Sequence, residues 1–233
     1  MKMAVKAAVC LVAAVCAAAR GEPAPQAFTA QASAESILAV CRSMLPDRPV
    51  TLRGAIIMRN RKGIPKGEYG YTLMADRTKT PAAVDVVFTP RDATNVIERA
   101  QVRRPGPVPE GRILNTDVTC LDLTLDFLWW TKAEFEADRE GETVHGQKCT
   151  VILARPEKPE GGVSAVRLWV DRKTGCLMQA EQLDASMKPI RRLWGTRVKK
   201  FGDRWMANVL EVETLGSGHR TKITVEEIDF NQN

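Results

Sequence analysis

His145 and His219 are the only histidines in the chain, so general acid–base chemistry near neutral pH would fall first to them. Such chemistry needs a nucleophile or a carboxylate within hydrogen-bond reach. Neither histidine has one at a telling distance along the sequence, and both sit in loop or strand context. Asp122 and Asp126 are spaced four apart, which puts both carboxylates on one side of a helix. Capping or solvating that helix is their expected work. Gly161-Gly162 and Gly216-Ser-Gly218 lack the strand-glycine-helix order that cradles phosphate, so they read as turns. Among Cys41, Cys120, Cys149 and Cys176 no two lie close together with a histidine nearby, as a zinc site would need. The residue types point to no enzyme, no metal and no cofactor. They point to binding.

The side chains suited to that are large and apolar: Phe127, Trp129, Trp130, Cys149, Trp169 and Met178. Each is a candidate wall of a ligand cavity or an ordinary core residue, and buried aromatics more often serve the core. Trp129 and Trp130 are adjacent and point in different directions, so one is expected inside and the other at an opening or the surface. Counting back from the turns at 158–162 and 173–175 sets Cys149 opposite Trp169 and Trp169 opposite Met178, a row across three strands. Trp194 and Trp205 fall on facing strands and read as structural.

The elements that position these groups are mostly strands. A helix is expected over 33–45, where Ile37, Leu38, Cys41, Met44 and Leu45 share a face and Pro46 ends the run. Short β-branched runs follow at 50–58, 69–74, 83–88 and 94–102, separated by glycine and proline. The stretch 119–130 fits both a helical stripe and a strand alternation. Thr119 followed by Asp122 resembles a helix start, and a short helix over 119–126 is the expectation. Strands are then expected near 134–140, 147–155, 163–171, 176–184, 190–201, 204–214 and 219–230. In the last, Ile223 and Val225 share one phase and Ile228 and Phe230 the other, which implies a bulge near Glu226-Glu227. Bulges curve a sheet.

Residues 1–21 read as a secretory signal: Lys2 and Lys6, then an apolar run from Ala7 to Ala19, then small residues for cleavage. The run is too short for a membrane span, which needs roughly 20 residues. Val15 is too bulky to precede a lipidated Cys16, so a soluble periplasmic protein is expected. Removing this segment, with Lys2, Lys6 and Arg20 and no acids, lowers the formal charge from +6 to +3. The basic pairs Arg103-Arg104 and Arg191-Arg192 then read as solvated strand edges or loops, and no nucleic-acid partner is expected. Residues 22–30 are an Ala/Pro-rich flexible lead-in, and 31–233 form a single domain. An exported setting permits disulfides. Cys149 and Cys176 would stand two strands, about 9–10 Å, apart, beyond the roughly 7 Å that a bridge spans. Cys41 and Cys120, on two helical segments, could meet, and free buried thiols are an equal alternative.

The motifs Gly146-Gln-Lys-Cys-Thr-Val-Ile-Leu153, Val166-Arg-Leu-Trp-Val-Asp171, Gln179-Ala-Glu-Gln-Leu-Asp184, Gly202-Asp-Arg-Trp-Met206 and His219-Arg-Thr-Lys-Ile223 occur in that order. Together with Asp122-Leu-Thr-Leu-Asp-Phe-Leu-Trp-Trp130 before them, they resemble the outer-membrane lipoprotein-sorting family, LolA and LolB, and its uncharacterised envelope relatives. The resemblance implies a mainly β (α+β) fold: a curved antiparallel sheet forming an incomplete barrel, with helices over its concave face. It implies a carrier for acyl chains of a lipid or lipoprotein. The rival expectations are an envelope adaptor of the same fold with a closed core, and an enzyme acting on a lipid or glycan.

Overall fold

The computed structural model describes residues 32–230 except 47, 81, 92, 105, 160 and 203. The expected signal peptide and lead-in lie outside the described residues.

Helix α1 (Ala34–Ser43) begins where the Ser33 hydroxyl accepts from the Ser36 N–H, and it buries Ala34, Ile37, Leu38 and Cys41. Four strands follow, β1 (Val50–Arg59), β2 (Pro65–Asp76), β3 (Ala82–Pro90) and β4 (Glu98–Arg104). Helix α2 (Cys120–Thr124) starts on a capping box: Thr119 Oγ1 receives the Asp122 N–H while the Asp122 carboxylate receives the Thr119 N–H. Leu125, at φ 54°, ends it with the left-handed turn that a buried leucine rarely adopts, and a single 3-10 turn, Asp126–Trp129, continues the chain.

The remaining strands are β5 (Lys132–Phe135), β6 (Thr143–Val144), β7 (Gln147–Arg155), β8 (Ala165–Asp171), β9 (Leu177–Leu183), β10 (Pro189–Phe201), β11 (Arg204–Thr214) and β12 (Arg220–Phe230). Only the expectation near 134–140 fails. The strand there ends at Phe135, and Ala137–Arg139 is a 3-10 turn that folds back over β7. The strand order β4-β3-β2-β1-β12-β11-β10-β9-β8-β7-β5 is antiparallel throughout and does not close, and β6 pairs only with β7.

The expected bulge is present: Arg53 pairs with Glu227 and Gly54 with Val225, leaving Glu226 unpaired. The register deduced from the turns is corrected. Trp169 lies opposite Val151 on one side, not Cys149, and opposite Gln179 on the other, not Met178. The second slip comes from a bulge between Trp169 and Val170 in the β8–β9 pairing, which the turn residues do not announce; the first is a two-residue miscount, since β7–β8 pairs regularly with Cys149 opposite Asp171.

Alternation along the strands divides the molecule into two faces. Leu52, Ile56, Leu73, Val86, Leu168, Val170 and Ile223 point to the concave side, where α1 and the α2 segment cover them in one continuous apolar cluster. The other side carries ion-pair ladders, Arg53–Glu227, Arg103–Asp85, Arg167–Glu181 and Arg192–Glu181 among them.

Candidate functional site

The segment from Thr116 to Trp130 acts as a plug on the concave face. Its apolar side chains Leu121, Leu123, Leu125, Phe127, Leu128 and Trp130 are all buried against the sheet. Phe127 is fully buried, and Trp130 meets it edge to face with ring centroids 6.5 Å apart. Trp129 is half-buried at the rim of the same cluster. Of the candidate cavity residues, then, three belong to the plug. The other three, Cys149, Trp169 and Met178, come together in a separate buried cluster with Val144 and Met44. They lie on the side of β7–β9 away from the plug, since Leu168 and Val170 flank Trp169 and face it. There the indole N–H of Trp169 donates to Glu142 Oε2 at 2.8 Å. Trp169 also lines an outward groove of about 630 Å³ whose walls include Arg167, Gln179, Glu181, Arg192 and Trp194.

Two polar attachments hold the plug. The inner one is buried except at Thr214, which is half-buried. Asp122 accepts from Gln182 Nε2 at 2.7 Å and from Arg191 Nη2, which also donates to the Asp117 carbonyl. Arg191 Nη1 reaches Thr214 Oγ1 at 3.3 Å. The Thr221 hydroxyl donates to the Asp117 carboxylate and accepts the Asp117 N–H. Two carboxylates, one guanidinium and three uncharged partners from four strands thus form a clasp.

The outer attachment is at the rim. Arg104 pairs with Asp126 and stacks on Trp129, its guanidinium carbon 3.7 Å from the ring centroid. Arg77, at the end of β2, stands 5.6 Å from the same ring. Arg42, from the last turn of α1, donates to the Leu128 carbonyl at 2.6 Å. Burial, then the charges of Arg77 and Arg42, push the Arg104 guanidinium down to about 10. Burial moves Arg77 likewise to about 10, so both remain cations at neutral pH.

Sequence reasoning missed Arg104 and Arg191, which it assigned with Arg103 and Arg192 to solvated edges. Half of that holds: Arg103 pairs with Asp85 and Arg192 with Glu181 on the outer face. The signal was available, because consecutive strand residues point to opposite faces, so a basic pair in a strand sends one arginine inward.

Cys41, Cys120, Cys149 and Cys176 are all buried thiols outside any disulfide, the alternative weighed above against a Cys41–Cys120 bridge, and Cys149 and Cys176 are unbridged as expected. Cys41 Sγ lies 3.4 Å from the Gly175 carbonyl, which makes Cys176 its thiol neighbour rather than Cys120. Among the described residues no group of three or more His, Cys, Asp and Glu side chains is placed to hold a metal, and no helix is long and apolar enough to cross a membrane.

A family model described only as an uncharacterized protein matches residues 100–233, more than half of the chain. The chain belongs to that family. The matched span of this uncharacterized family contains the plug, Arg104 and Arg191 and leaves out Arg42 and Arg77. None of the curated proteins matches the sequence. Solved structures establish the fold. A DUF1329 family protein from Desulfovibrio piger superposes with a TM-score of 0.66 at 15% identity, over 85% of this chain and 92% of its own. A putative outer membrane lipoprotein-sorting protein domain from Vibrio parahaemolyticus gives 0.65 at 15%, over 86% and 94%. A LolA superfamily protein from Nitrosomonas europaea gives 0.64 at 13%, over 87% and 95%. The fold is LolA-like, as the motif order implied.

Proposed function

We propose that this protein is a periplasmic carrier whose concave face receives the acyl chains of a lipid or lipoprotein when the plug moves aside. The observation that carries the reading is how the apolar face is covered: a segment of a few turns, fixed at two points by polar contacts. A core meant to stay closed gains nothing from burying Asp122 against Arg191, since apolar residues of similar volume do as well or better there. A buried ion pair that breaks leaves an uncompensated charge, so the plug is held in one arrangement or released from it, which suits a gate. Phe127, Trp129 and Trp130 would then form the surface that cargo replaces, while Cys149, Trp169 and Met178 would contribute only from the outer side of β7–β9. The fold shared with the lipoprotein-sorting domain and the LolA superfamily protein supports the same reading.

Magnitudes constrain the cargo. A chain of 14 to 16 carbons moved from water into the hollow contributes on the order of 10 kcal/mol, at about 0.8 per methylene. Exposing the buried apolar side chains of the plug costs about 1.5–3 kcal/mol each, or roughly 9–18 kcal/mol together. A single acyl chain therefore about balances the plug, and two or three chains overcome it.

A second reading is a non-catalytic adaptor with a closed core. The near-complete burial of Ile37, Leu38, Phe127 and Leu128 favours it. Native mass spectrometry of protein taken from a cell envelope separates the two. A diacyl or triacyl lipid mass travelling with the protein is the expected result. A bare polypeptide mass, unchanged after incubation with lipid vesicles, would leave the adaptor.

A further inference from the structure

Three guanidinium groups from three different elements meet where the plug reaches the rim: Arg42 from α1, Arg77 after β2 and Arg104 at the end of β4. They surround one indole and one carboxylate, Trp129 and Asp126. Among the described residues neither Arg42 nor Arg77 forms an ion pair, so the cluster holds more cation than anion. Like charges brought together away from bulk water repel. Two of these arginines, Arg77 and Arg104, carry a buried Nε–H with no hydrogen-bond partner, as Arg48, Arg59, Arg172 and Arg191 also do. Buried donors are nearly always satisfied, and exceptions call for an explanation.

The stacking shows what the cluster is prepared to do. A guanidinium lying over an aromatic ring uses its face and keeps its rim of N–H donors in plane. That planar fork matches the paired oxygens of a phosphate or carboxylate. Arg104 has committed part of its fork to Asp126 and Arg42 one N–H to the Leu128 carbonyl, while Arg77 commits none to a partner among the described residues. The same turn that presents Trp129 carries Phe127 and Leu128 into the apolar core. An anion seated on Arg77 thus has its nearest apolar neighbourhood at the plug.

We infer that Arg42, Arg77 and Arg104 form a head-group site for an anionic amphiphile, its phosphate or carboxylate on the guanidinium cluster and its chains directed beneath the plug. This rests on the carrier reading for the chains, while the anion site stands on the arginines alone.

The test uses the full chain and phosphatidylcholine vesicles doped with either dioleoylphosphatidic acid or dioleoylglycerol, which share chains and differ in the phosphate. After separation from the vesicles, native mass spectrometry reads the lipid retained. The wild-type protein is expected to favour phosphatidic acid about tenfold or more. Arg77→Gln is expected to erase that preference while dioleoylglycerol retention stays unchanged. A preference that survives Arg77→Gln overturns the site and leaves the carrier reading intact. If neither lipid is retained yet inorganic phosphate raises the thermal midpoint of the wild type and not of the variant, the carrier reading fails and the head-group assignment fails with it, leaving a free-phosphate site. Arg77-dependent binding of an acidic peptide, with both lipids inert, likewise overturns it in favour of a protein partner.

Discussion

The plug is fastened at two places that mirror one another in charge. At the inner clasp Arg191 meets the Asp122 carboxylate and the Asp117 backbone carbonyl, while the Asp117 carboxylate takes the Thr221 hydroxyl and Gln182 donates to Asp122. At the rim three guanidinium groups lie near one carboxylate, which pairs with Arg104 alone, and the buried Nε–H donors of Arg77 and Arg104 remain unmet. Both attachments use an arginine that alternation turned inward from a basic pair, Arg191 and Arg104. The difference lies in charge balance. A guanidinium that has its carboxylate fixes a geometry even with one spare donor, Arg191 Nε, whereas a cluster with more cations than anions is costly unless an anion arrives to complete it. The clasp therefore reads as a hinge point of the fold and the rim as a receptor.

That contrast is open to breakage from either end. Asp122→Ala should have the largest effect, because it leaves Arg191 buried without its carboxylate and removes the Asp122 half of the α2 capping box at once. The expected loss is about 3–5 kcal/mol, or about 6–20 °C in thermal midpoint for a domain of this size. Urea unfolding of the variant checks it, and a loss below about 1 kcal/mol would mean the clasp is not the fastening described. Asp126→Asn should cost less, about 1–2 kcal/mol, since the Arg104 pair is nearer solvent. Its signature is salt: added sulfate or phosphate should restore the Asp126→Asn protein, by supplying the anion three arginines lack, and leave Asp122→Ala unimproved. Equal rescue of both would erase the distinction. Arg77→Gln, which removes repulsion and one ring contact together, should leave stability within about 1 kcal/mol of wild type.

Much of this architecture was legible in the chain. Strand-length alternation and glycine-marked turns located the strands from β7 to β12, and the phase change between Val225 and Ile228 located the β12 bulge. Thr119 and Asp122 announced α2 because a capping box is a local device. The bulge between Trp169 and Val170 was not legible, since no turn residue marks it, and it moved Met178 out of register with Trp169. Residues 137–139 misled because a 3-10 turn leaves no periodic pattern in so short a stretch. The site itself was only half visible. Phe127, Trp129 and Trp130 could be named as apolar candidates, but what fastens them comes from Arg191, Gln182, Arg104 and Arg77, brought there by the sheet across many tens of residues.

The smallest effect near neutral pH comes from the thiols, and it reports which fastening governs opening. Burial first, then the neighbouring Cys176, push the Cys41 thiol up to about 12, and burial raises Cys120 to about 11. The sign follows from linkage: both thiols stay neutral when folded, while in the unfolded chain they ionise near 9, so stability is full below pH 9 and falls as pH rises from about 9 towards 12. At pH 8 the folded thiols present almost no thiolate, so alkylation must wait for local opening. Cys120 rides on the plug and Cys41 on the helix beside it. Mass-resolved alkylation at pH 8 should therefore accelerate at Cys120 severalfold or more in Asp122→Ala and hardly change in Arg77→Gln. Acceleration at Cys120 with Cys41 still protected would show the plug leaving alone. Acceleration at both would show α1 moving with it, as the Arg42 bond to the Leu128 carbonyl leads one to expect. If Arg77→Gln opened the plug as readily as Asp122→Ala, the rim would be a second fastening of equal weight, and the division between hinge point and receptor would fall.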